Sequence, residues 1–325
     1  MTEESAVLVL TAQFDPTADR VVDHLNRRDV PVFRCDMAEF PQQLTVSATL
    51  GSGSWTAHLR TPHRRLSLDT VRSAYFRRPG RFVFPDDMQP AARRFAQAEA
   101  RAGVGGIIAG LDCFWLNHPG RVADAEYKPV QMQVASACGL SVPRSLITND
   151  PDAARSFIGS IGGPVIYKPF SGLSLVKDGA PASLLTSIIQ HGESPDPRIA
   201  LTTHLFQEWV PKQYDVRLTV VRNNCFAVAI NIAGSKSATI DWRADYSSHR
   251  YAEVVVPTAV EHAIATMLGR LGLNFGAFDF VITPDNEWVF LEVNPNGQWG
   301  WLEGKTGLPI SSAIADALEE GCRVP

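Results

Sequence analysis

Asp279 and Glu292 are the residues whose types and spacing point most directly to chemistry. They lie in two strand-like runs, Phe275–Ile282 and 288–293, joined by the turn-rich Thr283-Pro284-Asp285-Asn286-Glu287. A hairpin symmetric about Asp285 and Asn286 sets Asp279 directly opposite Glu292. Alternation then sorts the side chains. Phe278, Phe280, Ile282, Val289, Leu291 and Val293 fall on one face; Asp279, Glu292 and, two residues on, Asn294 fall on the other. Carboxylates opposed in a sheet repel each other, and a divalent cation removes that repulsion. Three oxygen donors suit Mg²⁺ or Mn²⁺ and not zinc. A solvated face with ordinary acids is the competing reading. The ending Glu292-Val293-Asn294-Pro295 favours the metal, because it closes a strand where a ligand can approach.

Such a hairpin needs a sheet around it. From residue 205 the chain is β-rich, with strands expected at 205–210, 216–222 and 225–232 and helices at 260–271 and 311–320. The first third alternates. A strand at 6–10, a turn at Asp15-Pro16, a helix at 17–27 with Val21, Val22 and Leu25 on one side, and a strand at 30–34 predict a parallel α/β sheet. A hairpin follows at 44–50 and 54–59, then a helix at 91–102 and a strand at 114–116. The middle predicts helices at 124–138, 151–158 and 180–190, and a strand at 164–169. Asp150 is placed to cap the second of these helices. Boundaries fall near 118 and 205, giving segments 1–118, 119–205 and 206–325.

Composition excludes several classes. Lys and Arg total 30 against 34 Asp and Glu, a net charge of −4, which argues against a nucleic-acid partner. No stretch reaches the length of a membrane span, and the acidic start reads as a strand rather than a signal peptide. The five cysteines are widely spaced without a C-x-x-C, and no two of the eight histidines stand four apart. A disulfide framework or structural zinc is therefore not expected, and a reducing cytoplasm is. No Cys-His or Ser-His arrangement suggests a nucleophile on the protein.

Several segments in order give the sequence a family likeness. Lys128 follows Asn117-His118-Pro119. Lys168 closes Val165-Ile166-Tyr167-Lys168-Pro169, just before Phe170-Ser171-Gly172. Then come Phe206-Gln207-Glu208-Trp209-Val210, Tyr214-Asp215-Val216-Arg217, and finally Asp279 with Glu292-Val293-Asn294-Pro295. This order resembles the ATP-grasp fold. A narrower likeness, spanning nearly the whole chain, is to the ATP-grasp maturases of ribosomal peptides, the graspetide synthetases of the microviridin type, the actinobacterial branch above the cyanobacterial one. It rests on Tyr75-Phe76-Arg77-Arg78-Pro79, Leu116-Asn117-His118-Pro119, the stretch 142–150, Asp241-Trp242-Arg243, 292–298, Trp301-Leu302-Glu303 and 306–310.

The resemblance implies an α/β (α+β) protein of three parts. These are an N-terminal Rossmann-like pre-ATP-grasp domain, a central α/β domain and a C-terminal antiparallel-sheet domain. It implies ATP and Mg²⁺, with Mn²⁺ able to substitute. Lys128 and Lys168 would face the phosphates, although each is also readable as a snorkelling surface lysine. Ser171 and Gly172 would cover the phosphates or form a plain turn. The backbone of Gln207, Glu208, Trp209 and Val210 would contact adenine. Asp215 would hold the ribose, or serve a turn. Arg217 and Arg243 would contact anions, as guanidinium forks do. Arg217 alternates with Val216 and Leu218 and so points away from them, toward an anion or toward solvent. The pair Arg77-Arg78 fits an acidic peptide and plain surface charge equally.

The implied reaction activates Asp or Glu side-chain carboxyls of a precursor peptide as acyl phosphates. Thr or Ser hydroxyls then capture them as ω-esters, or Lys amines as amides. A leader segment of the precursor would dock on the enzyme; no nucleic acid or membrane is involved. Homodimers are common in the fold. Rival readings are an amino-acid ligase similar to glutamate or glutathione ligases, and a non-catalytic ATP-binding regulator.

Overall fold

The structure is a computed structural model and describes residues 5–51, 53–170, 174–177, 180–183, 186–189, 196–232 and 249–321. Ser171, Gly172, Asp241, Trp242, Arg243 and Cys322 lie outside the described residues.

The N-terminal part runs β1 (Ala6–Thr11), α1 (Pro16–Asn26), β2 (Val32–Cys35), β3 (Thr45–Gly51), β4 (Ser54–Arg60), β5 (Arg65–Ser67), β6 (Val71–Arg77), α2 (Pro90–Ala109) and β7 (Phe114–Leu116). β2, β1, β6 and β7 form a parallel sheet in that order; β3, β4 and β5 form a separate antiparallel sheet. β1 is buried at every position, which explains its unbroken apolar run. Asp15 starts α1, its carboxylate accepting from the N–H groups of Thr17 and Ala18 at 3.0 and 3.2 Å. β6 was not among the expected strands. α2 continues past residue 102 through Gly103, Gly105 and Gly106, because Ala100, Val104 and Ile108 make one buried stripe. Packing there outweighs the low helical preference of glycine.

The middle of the chain holds α3 (Pro119–Ala125), α4 (Lys128–Ala137), β8 (Ser145–Thr148), α5 (Pro151–Ser160), β9 (Val165–Lys168), β10 (Ser174–Lys177), β11 (Ala180–Ser183) and β12 (Ser187–Ile189). The helix expected at 124–138 is thus two helices. Pro129 has no N–H to give to the Ala125 carbonyl four residues back, so a continuous helix cannot pass it. The Gln131 side chain takes that carbonyl instead, at 2.7 Å. The helix expected at 180–190 is replaced by β11 and β12. Ile188 and Ile189 pair with β9, as β-branched residues favour.

The last part comprises β13 (His204–Glu208), β14 (Tyr214–Val221), β15 (Asn224–Ile232), β16 (His249–Glu253), α6 (Thr258–Leu271), β17 (Phe275–Ile282), β18 (Trp288–Asn294), α7 (Gly300–Thr306) and α8 (Ile310–Glu320). β13 runs across residue 205 and joins the central sheet, whose order is β12-β9-β13-β8. The large antiparallel sheet has the order β16-β15-β14-β17-β18. One face of it packs Val216, Leu218, Val220, Phe278, Phe280, Phe290 and Val293 against Ile264, Met267 and Leu268 of α6. α8 returns to the N-terminal sheet, where Ile310, Ile314 and Leu318 join Val7, Val9 and Leu25.

Candidate active site

The face of the large sheet turned away from α6 is where the charges gather. In β14, Asp215, Arg217 and Thr219 alternate with the apolar residues that meet α6, and all three are buried. Arg217 pairs across the ladder with Asp279, and Asp279 pairs on its other side with Glu292. The row Arg217, Asp279, Glu292 therefore crosses three adjacent strands on one face. The Arg217 Nη1 donates to Asp279 Oδ1 at 2.7 Å, with both side chains about nine-tenths buried or more. So Arg217 faces a carboxylate and not solvent. Its Nε is buried without a hydrogen-bond partner among the described residues.

The hairpin register departs from perfect symmetry beyond this row. A bulge follows Asp279, so Phe280, Val281 and Ile282 pair with Phe290, Val289 and Trp288. Phe290 and Trp288 thereby join the α6 face, where Phe280 packs on both rings. Val289 and Leu291 do not hold the apolar-face positions that strict symmetry assigns them. Asp279, Glu292 and Asn294 keep theirs.

Glu292 receives Lys128, whose ammonium contacts its Oε2. Lys128 is the first residue of α4, and the helix is tied to the ligand-bearing strand one turn later. The Gln131 amide, 3% exposed, takes both backbone groups of Val293. Its Nε2 donates to the Val293 carbonyl at 2.8 Å, and its Oε1 accepts from the Val293 N–H at 3.0 Å. β18 is the outer strand of its sheet, so these groups have no strand beside them.

Beyond Asn294 the chain turns back over the same face. Gly297 lies so close that a Cβ there would stand 2.2 Å from the Ala277 Cβ and 3.0 Å from the Arg217 Nη2. Only glycine permits this approach. The Gln298 carbonyl then accepts from Arg217 Nη2 at 3.4 Å, while the Gln298 side chain accepts from Arg77. Arg77 ends β6, Arg78 follows it, and both donate to the Asn296 carbonyl, at 3.2 and 3.0 Å. Desolvation and the neighbouring Arg77 and Arg217 lower the Arg78 pKa, with Asp15 opposing them. Asn117 closes the arrangement from below. It is 1% exposed, donates to the carbonyls of Phe275 and Pro295 at 2.8 and 2.9 Å, and accepts from the N–H groups of Asn274 and Phe275 at 2.7 and 3.0 Å. His118 acts only locally, its Nδ1 accepting from Gly120 N–H and its Nε2 meeting the Ala109 carbonyl.

The remaining candidates lie around this row. Asp215 shares the face, two residues from Arg217, and holds Lys212 at 2.7 Å with both side chains buried. Lys212 was not singled out in the sequence, although its spacing of three from Asp215 was the available signal. Lys168 ends β9, half-buried, opposite Leu205. Gln207 lies on the same face of the central sheet as Ile166, its cross-strand neighbour, and its side-chain amide donates to Ser145 Oγ at 2.9 Å. The backbone N–H groups of Glu208 and Trp209 are engaged by the carbonyls of Arg144 and Pro164.

Two carboxylates and an amide on one buried face fit a magnesium ion. Mg²⁺ characteristically takes one or two protein carboxylates and completes its shell with water and phosphate oxygens. Among the described residues no group of three or more His, Cys, Asp or Glu side chains forms a richer cage. The oxygen donors and the surrounding cations suit a metal carried with phosphates.

Known proteins resemble this chain over its whole length. Residues 6–123 match the family model described as the MvdD pre-ATP grasp domain. A RiPP-associated ATP-grasp ligase from Chryseobacterium gregarium, solved in complex with ADP and a leader and core peptide, is 25% identical. It superposes with a TM-score of 0.92 over 98% of each chain. Macrocyclase MdnB from Microcystis aeruginosa is 31% identical, with a TM-score of 0.80 over 97% of this chain and 99% of that one. A probable alpha-L-glutamate ligase from Pseudoalteromonas atlantica is 24% identical over 220 residues, 64% of this chain and 68% of that protein.

Proposed function

Because this chain belongs to the ATP-grasp ligases of ribosomal peptides, we propose that it closes rings in a precursor peptide at the expense of ATP. The carboxylate of an Asp or Glu side chain attacks the γ-phosphorus of ATP, ADP leaves, and an acyl phosphate remains on the peptide. A Thr or Ser hydroxyl then attacks the acyl carbon and gives up its proton as phosphate departs. Each ring thus removes one water from the peptide overall. A Lys amine in place of the hydroxyl gives an amide by the same steps.

The observation that carries this reading is the row Arg217, Asp279, Glu292 across three strands of one buried face. Asp279, Glu292 and Asn294 would hold the metal, which supplies charge to the phosphate oxygens when bound. Lys128 and Lys168 would bind phosphates. Arg217 and Arg243 would neutralise the charge that builds on the transferring group. The segment from Gln207 to Val210 would seat adenine through backbone groups still open to it, and Asp215 the ribose. Ser171 and Gly172 would cover the phosphates and keep water from the acyl phosphate. The division expected at 1–118, 119–205 and 206–325 goes with this assignment once its second boundary is moved past β13, which belongs to the central sheet.

No helix among the described residues is long and apolar enough to cross a membrane. Cys35, Cys138 and Cys225 carry free thiols, which supports a reducing cytoplasm.

The test is the mass of a short precursor peptide rich in Thr and Asp/Glu, after incubation with the protein, ATP and Mg²⁺. Stepwise loss of water is the expected result. Gain of amino-acid residues would move the assignment to the glutamate-ligase relative. Nucleotide binding without ADP release would leave a regulator.

A further inference from the structure

The two carboxylates assigned to the metal are each already held by a cation of the protein. Arg217 holds Asp279 and Lys128 holds Glu292. A divalent ion arriving alone therefore meets carboxylates whose charge is already countered by the protein. It must also displace an ammonium or a guanidinium from a largely buried carboxylate, without compensation.

The two cations differ in their freedom to leave. Arg217 lies under Gly297 and also donates to the Gln298 carbonyl, in a space where not even a Cβ fits above it. Lys128 stands on a flexible four-carbon stem at the first position of α4. Gln131 fixes the helix one turn below it, through Val293 and Ala125. Lys128 can therefore depart by rotating its own side chain, with no movement of the helix or of β18. Nucleotide phosphates offer it a more negative destination than one carboxylate does.

We propose that Lys128 stands in for the metal on Glu292 and releases that carboxylate only when phosphates draw it away, so that cation and nucleotide enter as one unit. This rests on the ligase reading above and adds an order of binding to it. Linkage requires the effect to be mutual: nucleotide raises the affinity for metal by the factor by which metal raises the affinity for nucleotide.

The experiment measures three affinities by calorimetry, for Mn²⁺ alone, ADP alone and Mn²⁺ with ADP, in the wild type and in Lys128→Met. The two single-ligand affinities should move in opposite directions. Affinity for Mn²⁺ alone should rise about tenfold and affinity for ADP alone should fall about tenfold, the size expected when one partly buried charge is removed. Lys128→Arg keeps the charge and should leave binding of Mn²⁺ alone as weak as in the wild type. Unchanged or weaker Mn²⁺ binding in Lys128→Met would overturn the stand-in role while leaving the ligase reading intact. Lys128→Gln serves the same comparison if the Met variant does not fold. A wild type that binds neither ADP nor Mn²⁺ with ADP would overturn the ligase reading, and this inference with it.

Discussion

Two buried arginines, Arg217 on the large sheet and Arg77 at the seam with the N-terminal sheet, are held in opposite ways. Arg217 has a carboxylate directly across the strand, at 2.7 Å. Arg77 is 1% exposed and bonds to neutral oxygens, the Asn296 carbonyl and the Gln298 side chain; its nearest carboxylate, Asp15, is 3.8 Å from its Nε. A cation paired with a carboxylate has a partner that another cation can take over. Arg77 leans mainly on carbonyl and amide oxygens, with Asp15 at ion-pair range but not hydrogen-bonded to it, so a metal ion has less to gain there. The sheet face thus offers a carboxylate that a replacing cation could use, although Arg217 itself is held fast beneath Gly297 and Gln298, while the seam offers little.

The strongest way to break that contrast is at the seam itself. Asn117 fills all four of its amide bonding positions with backbone groups at both ends of the metal hairpin. Asn117→Leu keeps the branched shape and strips those groups of partners. With roughly 1–3 kcal/mol for each buried group left unpaired, the expected loss is about 4 kcal/mol in urea unfolding. A loss below about 1 kcal/mol would mean that water or a neighbour replaces the amide readily, and that the seam is not fixed.

Next in size is a pair of variants that isolates exchange. Arg77→Met and Arg217→Met should each cost about 3 kcal/mol, the lower end of the range for breaking a buried charged contact. Saturating Mn²⁺ should then separate them. Arg217→Met leaves Asp279 beside Glu292 without its guanidinium, so Mn²⁺ should raise its melting temperature well above the shift seen in the wild type. In Arg77→Met the shift should match the wild type. Equal rescue of both would erase the distinction between the two regions.

The same contrast explains how much could be read beforehand. Strand alternation placed Asp279, Glu292 and Asn294 on one face, because residues opposed in a hairpin are near in sequence and their pattern has a period of two. The bulge after Asp279 was not legible. It shifts the pairing of Val289 without altering any residue type that marks a strand. At the seam nothing local could serve. Arg77 meets Gln298 and Asn117 meets Pro295 across most of the chain, and β6, which carries Arg77, gave no strand signal strong enough to single out. Gln131 looked like any helical polar residue. Only Pro129 hinted at its role, by leaving the Ala125 carbonyl without its usual donor.

Gln131 is also where the smallest of these effects should appear, because it sits between the two regions. It joins a helix whose Lys128 is free to move to a strand whose Glu292 must stay in place. Gln131→Leu removes three bonds, to the Ala125 carbonyl and to both backbone groups of Val293. Fewer buried groups lose their partners here than at Asn117, three against four. The expected cost is therefore about 2 kcal/mol, below that of Asn117→Leu. Hydrogen exchange gives the sharper reading. The Val293 amide should be protected in the wild type and exchange much faster in the variant, while the Phe278 amide in the middle of the sheet keeps its protection. Fast exchange at both would mean that Gln131 supports the sheet as a whole. Slow exchange at both would mean that the strand holds its ligands without the helix, and that Lys128 keeps its place over Glu292 by its own ion pair.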